Sequence, residues 1–323
     1  MKQHWKELWG AILLGMILPG IILNLSKTVL EGNAKELLIV ETVSHTDTAE
    51  KIVTPVFVRF PGGKIMQMDM DAYLTGVVLG EMPAEFEVEA LKAQAVAART
   101  YTAKAIQTSG KHGDGTVCTD PGCCQAYLSE ESYLSKGGTA ENLERVRRAV
   151  LDTSGYVLTY AGELIEATYF SCSGGSTEDA VDVWGTDYPY LQSVASPGEE
   201  GSVHYRDTIC FTAADFQKKI GCQLTGNPES WFELESCTEG GGISSMRICG
   251  EAYSGTQLRQ LLGLPSTAMT ISAKGDTITI VTRGYGHRVG MSQYGADAMA
   301  VTGKNFIQIL THYYPGTQLE VLS

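Results

Sequence analysis

Basic residues are in the minority. Against 37 Asp+Glu the chain carries 24 Lys+Arg, a formal net charge of -13, too little positive charge to build an extended phosphate-tracking surface, so nucleic acid is not an expected partner. Cysteine is sparse as well: eight in 323 residues is far below the density of a disulfide scaffold, and the fold cannot depend on bridges. No repeat period and no low-complexity tract is visible. What is plentiful is apolar sequence, at 43%, and glycine, at 36 residues. The first suffices for one large or two ordinary domains, and the second points to many turns. Together they predict a loop-rich α+β or β-heavy fold, of which α+β is the reading.

Charge is missing altogether from residues 8–25, LWGAILLGMILPGIILNL, a run long enough to span a bilayer and lacking the polar face of a soluble helix. Lys2 and Lys6 precede it; Lys27 follows together with Glu31, Glu36 and Glu41. The positive-inside rule therefore predicts a cytoplasmic N-terminus and a globular part on the outside. A signal peptide has the same charge order, but no small-x-small cleavage site follows the run, so a retained single-pass anchor is the reading. Residues 1–26 are read as stub and anchor, 27–51 as a polar tether, and 52–323 as the globular domain.

Within that domain, residues 54–60 and 64–68 read as strands, and Asp71 is placed to cap a helix through Tyr73, Leu74, Val77 and Val78. Pro83 ends this helix, leaving Glu81 at its end among Val78, Leu79, Met82 and Pro83. A carboxyl at a helix end is usually only solvated, but apolar neighbours favour the protonated form that a general acid requires. Residues 88–106 form a second, alanine-dense helix that carries Gln94, Arg99 and Tyr101 as polar exceptions.

A glycine-rich loop at about 107–128 holds His112, Cys118, Cys123 and Cys124. One imidazole and two thiolates suit tetrahedral Zn2+, while a Cys118 disulfide beside a bystander histidine is the alternative. Adjacent side chains diverge, so Cys123 and Cys124 are not expected to bind the same ion. Residues 169–177 (YFSCSGGST) place Tyr169, Ser171 and Ser173 before Trp184 and Tyr188, the composition of a saccharide-cleft wall, and no Gly-x-Ser-x-Gly elbow is present there. The segment at about 197–252 is glycine-rich, acidic and poorly periodic, and reads as a variable insertion with room for one bridge. Residues 282–295 (TRGYGHRVGMSQYG) lie between a strand and a helix. Their glycines let backbone approach a ligand, and His287, Ser292, Gln293 and Tyr294 offer hydrogen bonds to hydroxyls; with no Gly-Lys-Ser/Thr ending, a phosphate loop is set aside. The alternative for His287 is a brace for the turn.

These residues carry a resemblance. Gly80-Glu81-Met82-Pro83-Ala84, residues 90–101 (ALKAQAVAARTY), Ser171-x-Ser173-Gly174-Gly175, Trp184-Gly185 and the run from Gly284 to Gly295 together resemble the stage II sporulation protein D family of peptidoglycan lytic transglycosylases. The resemblance implies cleavage of the β-1,4 bond between N-acetylmuramic acid and N-acetylglucosamine, with Glu81 as catalytic acid and 1,6-anhydro ends as product. It implies that Gln94, Arg99, Tyr101, Tyr169, Ser171, Ser173, His287, Gln293 and Tyr294 position glycan or Glu81. His112, Cys118 and Cys124 would hold a structural Zn2+. It further implies a role in forespore engulfment at the mother-cell membrane, beside a membrane-bound amidase and scaffold proteins. Cys123 and Cys172 depart from the family pattern. Two other functions stay open: a non-catalytic glycan-binding module of the amidase-enhancer kind, and a zinc-dependent wall hydrolase, for which no His-Glu pair lies near the loop.

Overall fold

The computed structural model describes residues 55–221 and 223–322. The expected membrane span and tether lie outside them, and among the described residues no helix is long and apolar enough to cross a membrane. The described chain begins with a hairpin in which β1 (Pro55–Arg59) pairs antiparallel with β2 (Ile65–Asp69). The helix α1 (Met70–Glu81) follows at once, because the Asp69 carboxylate accepts a 3.0 Å hydrogen bond from the Ala72 N–H and caps the free end. The sequence points to Asp71 for that duty. Asp71 instead sits buried in the first turn, paired with Arg99 at 3.2 Å.

The hub is α2 (Val88–Gln107), in which Ala90, Ala93, Ala95, Ala97 and Ala98 are all buried. Side chains that stop at Cβ let several neighbours approach its axis closely. After it come β3 (Val117–Cys118), parallel to β1, then α3 (Glu130–Ser135), α4 (Ala140–Asp152), β4 (Tyr156–Tyr160) and β5 (Glu163–Leu164). The helices α1 and α4 pack on α2 from the N-terminal half; α8 (Gln293–Val301) and α9 (Phe306–Tyr313) pack on it from the C-terminal end of the chain. Tyr73, Leu91, Val96, Val146, Leu158, Met291 and Ile309 meet in this main core. The terminal strand β14 (Gln318–Val321) lies antiparallel to β4.

A second core is built largely from the segment that reads as poorly periodic, closed by strands that follow it. The strand β7 (Arg206–Thr212), α6 (Ala213–Ile220), β8 (Phe232–Cys237), β9 (Ile243–Ile248), β10 (Glu251–Tyr253), α7 (Gly255–Leu262), β11 (Met269–Lys274) and β12 (Thr277–Arg283) form two three-stranded sheets ordered β11-β12-β7 and β10-β9-β8. Around Phe216, Trp231, Ile248, Leu258, Ile278 and Ile280 they bury a core of their own. The segment at 197–252 is thus folded and shares its core with residues up to Ile280. β8 is mostly exposed and β7 buries no residue fully, while only β9 turns Ile243, Met246 and Ile248 inward, so most of the segment lacks the buried-exposed alternation that marks a strand. Cys210, Cys237 and Cys249 are free thiols, so no bridge forms among the described cysteines of this region.

The two motif-bearing stretches meet through β6 (Tyr169–Phe170), which runs parallel to β13 (Met291–Ser292), and through a bridge between Cys172 and Tyr285. Gly174 and Gly284 make the approach possible. Both have positive φ, and a Cβ on Gly284 would lie 2.6 Å from the carbonyl oxygens of Cys172 and Ser173. A short helix, α5 (Ala180–Trp184), then brings Trp184 to the same side.

Candidate functional site

Between α1, the 107–128 loop, β6 and the turn before β13 lies a cleft of about 630 Å³. Glu81, Tyr101, Tyr169, Ser171, His287 and Gln293 line it, joined by Cys123, Cys124, Gln125, Glu166, Trp184, Tyr188 and Tyr285. Pro83 forces the chain to turn at the end of α1, so the Glu81 side chain is delivered into the cleft at the last helical position. Gly80 matters for the same reason. A Cβ there would lie 2.8 Å from the Tyr127 nitrogen, so only glycine lets the 125–127 backbone close over Glu81.

That closure fixes the carboxylate. The Ala126 N–H donates to Glu81 Oε1 at 2.6 Å, and Gln293 Nε2 donates to Oε2 at 3.5 Å. Burial outweighs these two donors and holds the Glu81 carboxyl above the ordinary range of a glutamate. The same Gln293 amide reaches Gln94 Oε1 at 3.5 Å. Gln94 is fully buried under the cleft and holds Gln293 from behind. Gln125 has a parallel duty: its Oε1 accepts from the Tyr169 hydroxyl at 2.8 Å, and its Nε2 donates to Thr102 Oγ1 and Tyr73 Oη at 3.0 and 3.2 Å. Burial raises the Tyr169 and Tyr101 phenols far above their usual values, so both stay neutral hydrogen-bonding groups.

His287 Nδ1 accepts from the Val289 N–H at 3.1 Å, and its ring rests on Trp184 and Phe170 with centroids 5.2 and 5.6 Å apart. Burial first, then the Arg259 charge, push the imidazole down to about 4. At neutral pH it is therefore an uncharged wall and brace. Trp184 and Tyr285 are 42% and 46% exposed at the rim and leave aromatic surface open to the cleft. The cleft's other carboxylate, Glu166, is paired with Lys104 at 3.0 Å.

Besides Gln94, which lies beneath it, three residues expected at the glycan are not in the cleft lining. Arg99 is 1% exposed and donates to the carbonyls of Thr153, Val150 and Tyr156 at 2.7, 3.2 and 3.3 Å besides pairing with Asp71. It satisfies the C-terminal end of α4, where the free carbonyls and the dipole attract a cation. Ser173 is fully buried and, through its N–H and hydroxyl, binds the buried Glu199 at 2.7 and 2.9 Å. Tyr294 packs edge-on against Phe86 with centroids 5.0 Å apart. Conversely, Gln125, Ala126 and Glu166 were not anticipated. Gln125 follows Cys124 directly, but nothing in the spacing places that backbone against Glu81.

The 107–128 loop gathers His112, Cys118, Cys123 and Cys124 so that their ligand atoms all lie within 4.8 Å of one another. His112 Nε2 is 3.6 Å from Cys124 Sγ and 3.8 Å from Cys123 Sγ, and the two sulfurs are 3.9 Å apart. The expectation that adjacent cysteines diverge fails here. Asp120 O accepts from both the Cys123 and Cys124 N–H groups at 3.0 and 2.8 Å, a tight turn that swings both thiols to one side. Burial and crowding by Cys118 and Cys124 push the Cys123 thiol up to about 12. The donor set is soft, partly buried and anchored by the turn, which fits Zn2+.

A family model described as stage II sporulation protein matches residues 62–160, the stretch that holds Glu81, α2 and the cysteine loop. Stage II sporulation protein D of Bacillus subtilis is 39% identical over 280 residues, covering 85% of this chain and 81% of that protein. Its Bacillus amyloliquefaciens counterpart is 38% identical over 288 residues, covering 86% and 83%. The Bacillus subtilis amidase enhancer is 30% identical over 304 residues, covering 76% of this chain but 40% of the enhancer. Identity of this level, over most of both chains, places the chain in the stage II sporulation protein D family.

Proposed function

We propose that this protein is a lytic transglycosylase that cleaves the β-1,4 bond between N-acetylmuramic acid and N-acetylglucosamine in peptidoglycan, working in forespore engulfment. The observation that supports this best is Glu81: one poorly hydrated carboxyl, held by Ala126 and Gln293, at the wall of a cleft rimmed by open aromatic faces. Protonated Glu81 gives its proton to the glycosidic oxygen as the bond to C1 breaks. The resulting carboxylate, stabilised by the same two donors, takes the proton from the muramic acid C6 hydroxyl while that oxygen closes on C1, and a 1,6-anhydro end is left. A substrate that supplies its own nucleophile needs no second protein carboxylate, unlike an ordinary glycosidase.

Trp184, Tyr188 and Tyr285 hold sugar faces; Tyr101, Tyr169, Ser171 and His287 meet the polar edges; Gln94 positions Gln293. Zn2+ on His112, Cys118 and Cys124 holds the loop in place, so that the 125–127 backbone stays over Glu81. The uncharged run at 8–25 and its upstream lysines support a membrane anchor with the catalytic part on the wall side, where a membrane-bound amidase and scaffold proteins would be partners.

The test is mass spectrometry of glycan strands digested with the purified protein. Anhydro-muramic ends are expected. Reducing ends would mean a hydrolase. Intact glycan that nevertheless binds would favour the second reading, a glycan-binding amidase enhancer, for which the 30% identity to such a protein speaks.

A further inference from the structure

The chain carries one thiol more than a three-ligand zinc site requires, and its position is not that of a bystander. With Zn–S of about 2.3 Å and Zn–N of about 2.0 Å, a tetrahedral site has edges of about 3.8 Å between sulfurs and about 3.5 Å between nitrogen and sulfur. The Cys123–Cys124 separation is 3.9 Å, and the two His112 separations are 3.8 and 3.6 Å. Three of the six edges of the tetrahedron are therefore within about 0.3 Å of their metal-bound lengths, and two of them involve Cys123. Cys118 Sγ completes the set within 4.8 Å of the other three.

We infer that Cys123 is the fourth protein ligand, so that the metal is held by His112, Cys118, Cys123 and Cys124 in a closed Cys3His sphere with no open position. The inference rests on the proposed zinc and adds what occupies the fourth corner. Three thiolates and a neutral imidazole around a divalent ion leave one net negative charge, and a cation is in place to meet it: Lys111 Nζ donates to the Cys123 carbonyl oxygen. The turn hydrogen bonds from Asp120 hold both cysteine nitrogens before any ion arrives, so the pair needs no rearrangement to bind. A closed sphere has structural consequences. Such an ion binds no water to activate and polarises no substrate oxygen, and its whole contribution is to the geometry of the loop that reaches Glu81.

Zinc X-ray absorption on the full-length protein, as purified with its metal, tests this without any mutation. Three sulfurs at about 2.3 Å and one nitrogen at about 2.0 Å are expected. Two sulfurs with two light atoms would overturn the fourth ligand while leaving zinc itself standing, and a protein that takes up no zinc would overturn both. Cobalt substitution gives a second readout: Cys123→Ser should keep cobalt binding but lower the thiolate-to-metal absorption to about two-thirds, as expected on going from three thiolates to two. Zinc affinity should fall at least about 100-fold, since loss of an outer partner alone costs about 10–100-fold. An unchanged cobalt spectrum and affinity in Cys123→Ser would defeat the inference.

Discussion

Ala126 donates its backbone N–H to Glu81 Oε1 at 2.6 Å, a bond that joins residues 45 apart in sequence and ties the cysteine loop to the end of α1. Ala126 stands two positions after Cys124, so whatever holds the thiols in place also holds the carboxylate. The bond keeps one oxygen engaged; the other is met only at 3.5 Å by Gln293 and faces the cleft.

Removing the acid should separate binding from turnover. Glu81→Gln keeps the shape of the side chain but cannot protonate a leaving oxygen, so the rate of anhydro-product release should fall by about 100- to 10,000-fold with glycan binding unchanged. A rate within about tenfold of wild type, measured on purified glycan strands, would remove Glu81 from the proposed role.

The pH profile should carry the same signature. Because burial raises the Glu81 carboxyl, the protonated fraction persists to higher pH than for an ordinary glutamate, and kcat/KM should fall on the alkaline side of that raised value. Stability runs in the same sense: the folded state binds this proton more tightly than the unfolded state, so the contribution is present at low pH and lost as pH rises through the folded pKa. Glu81→Gln should therefore have a higher Tm than wild type at neutral pH, checked by calorimetry.

Glu166 distinguishes one-carboxylate from two-carboxylate chemistry. It lines the cleft but is paired with Lys104 at 3.0 Å. Glu166→Gln should stay within about tenfold of wild type, whereas loss of a second catalytic carboxylate costs about 100-fold or more. A collapse of turnover with the product switched away from anhydro ends would point to an ordinary glycosidase.

Arg99 belongs to the fold, and its loss should be read in stability. Arg99→Ala breaks the buried ion pair with Asp71 and removes the donor to the carbonyls at the end of α4, a cost of about 3–5 kcal/mol in denaturant unfolding. Glycan affinity of the variant, measured at a temperature where it is folded, should match wild type.

His287 should make the protein acid-sensitive. Its imidazole is lowered from 6.5 to about 4, so between these values the unfolded chain binds a proton that the folded chain refuses. Stability is then lost as pH falls from about 6.5 towards about 4, by about 1–3 kcal/mol relative to His287→Gln. Unfolding curves of the two proteins that stay parallel across this window would refute it.

The local sequence determined the local structure. Pro83 after Glu81, the alanines of α2 and the alternation in β1 and β12 act within a few residues, and they gave the carboxyl its helix end and α2 its span to within a residue. Composition also marked His112 and the cysteines as ligand types and the aromatics near Trp184 as a sugar surface. Tertiary structure decided which polar groups face the cleft. Arg99 and Ser173 look like site residues in sequence because both are polar in apolar surroundings, yet each is consumed by a buried partner, Asp71 or Glu199, that lies 28 or 26 residues away. The same holds for Ala126, a backbone donor that has no side-chain signature at all. The direction of Cys123 was decided by a turn on Asp120, and the second core by the packing together of β12 and segments such as β7 and β8 that bury little of their own surface. In each case the deciding interaction is a contact between distant segments, and a one-dimensional pattern records residue types and spacing but not which long-range partner satisfies them.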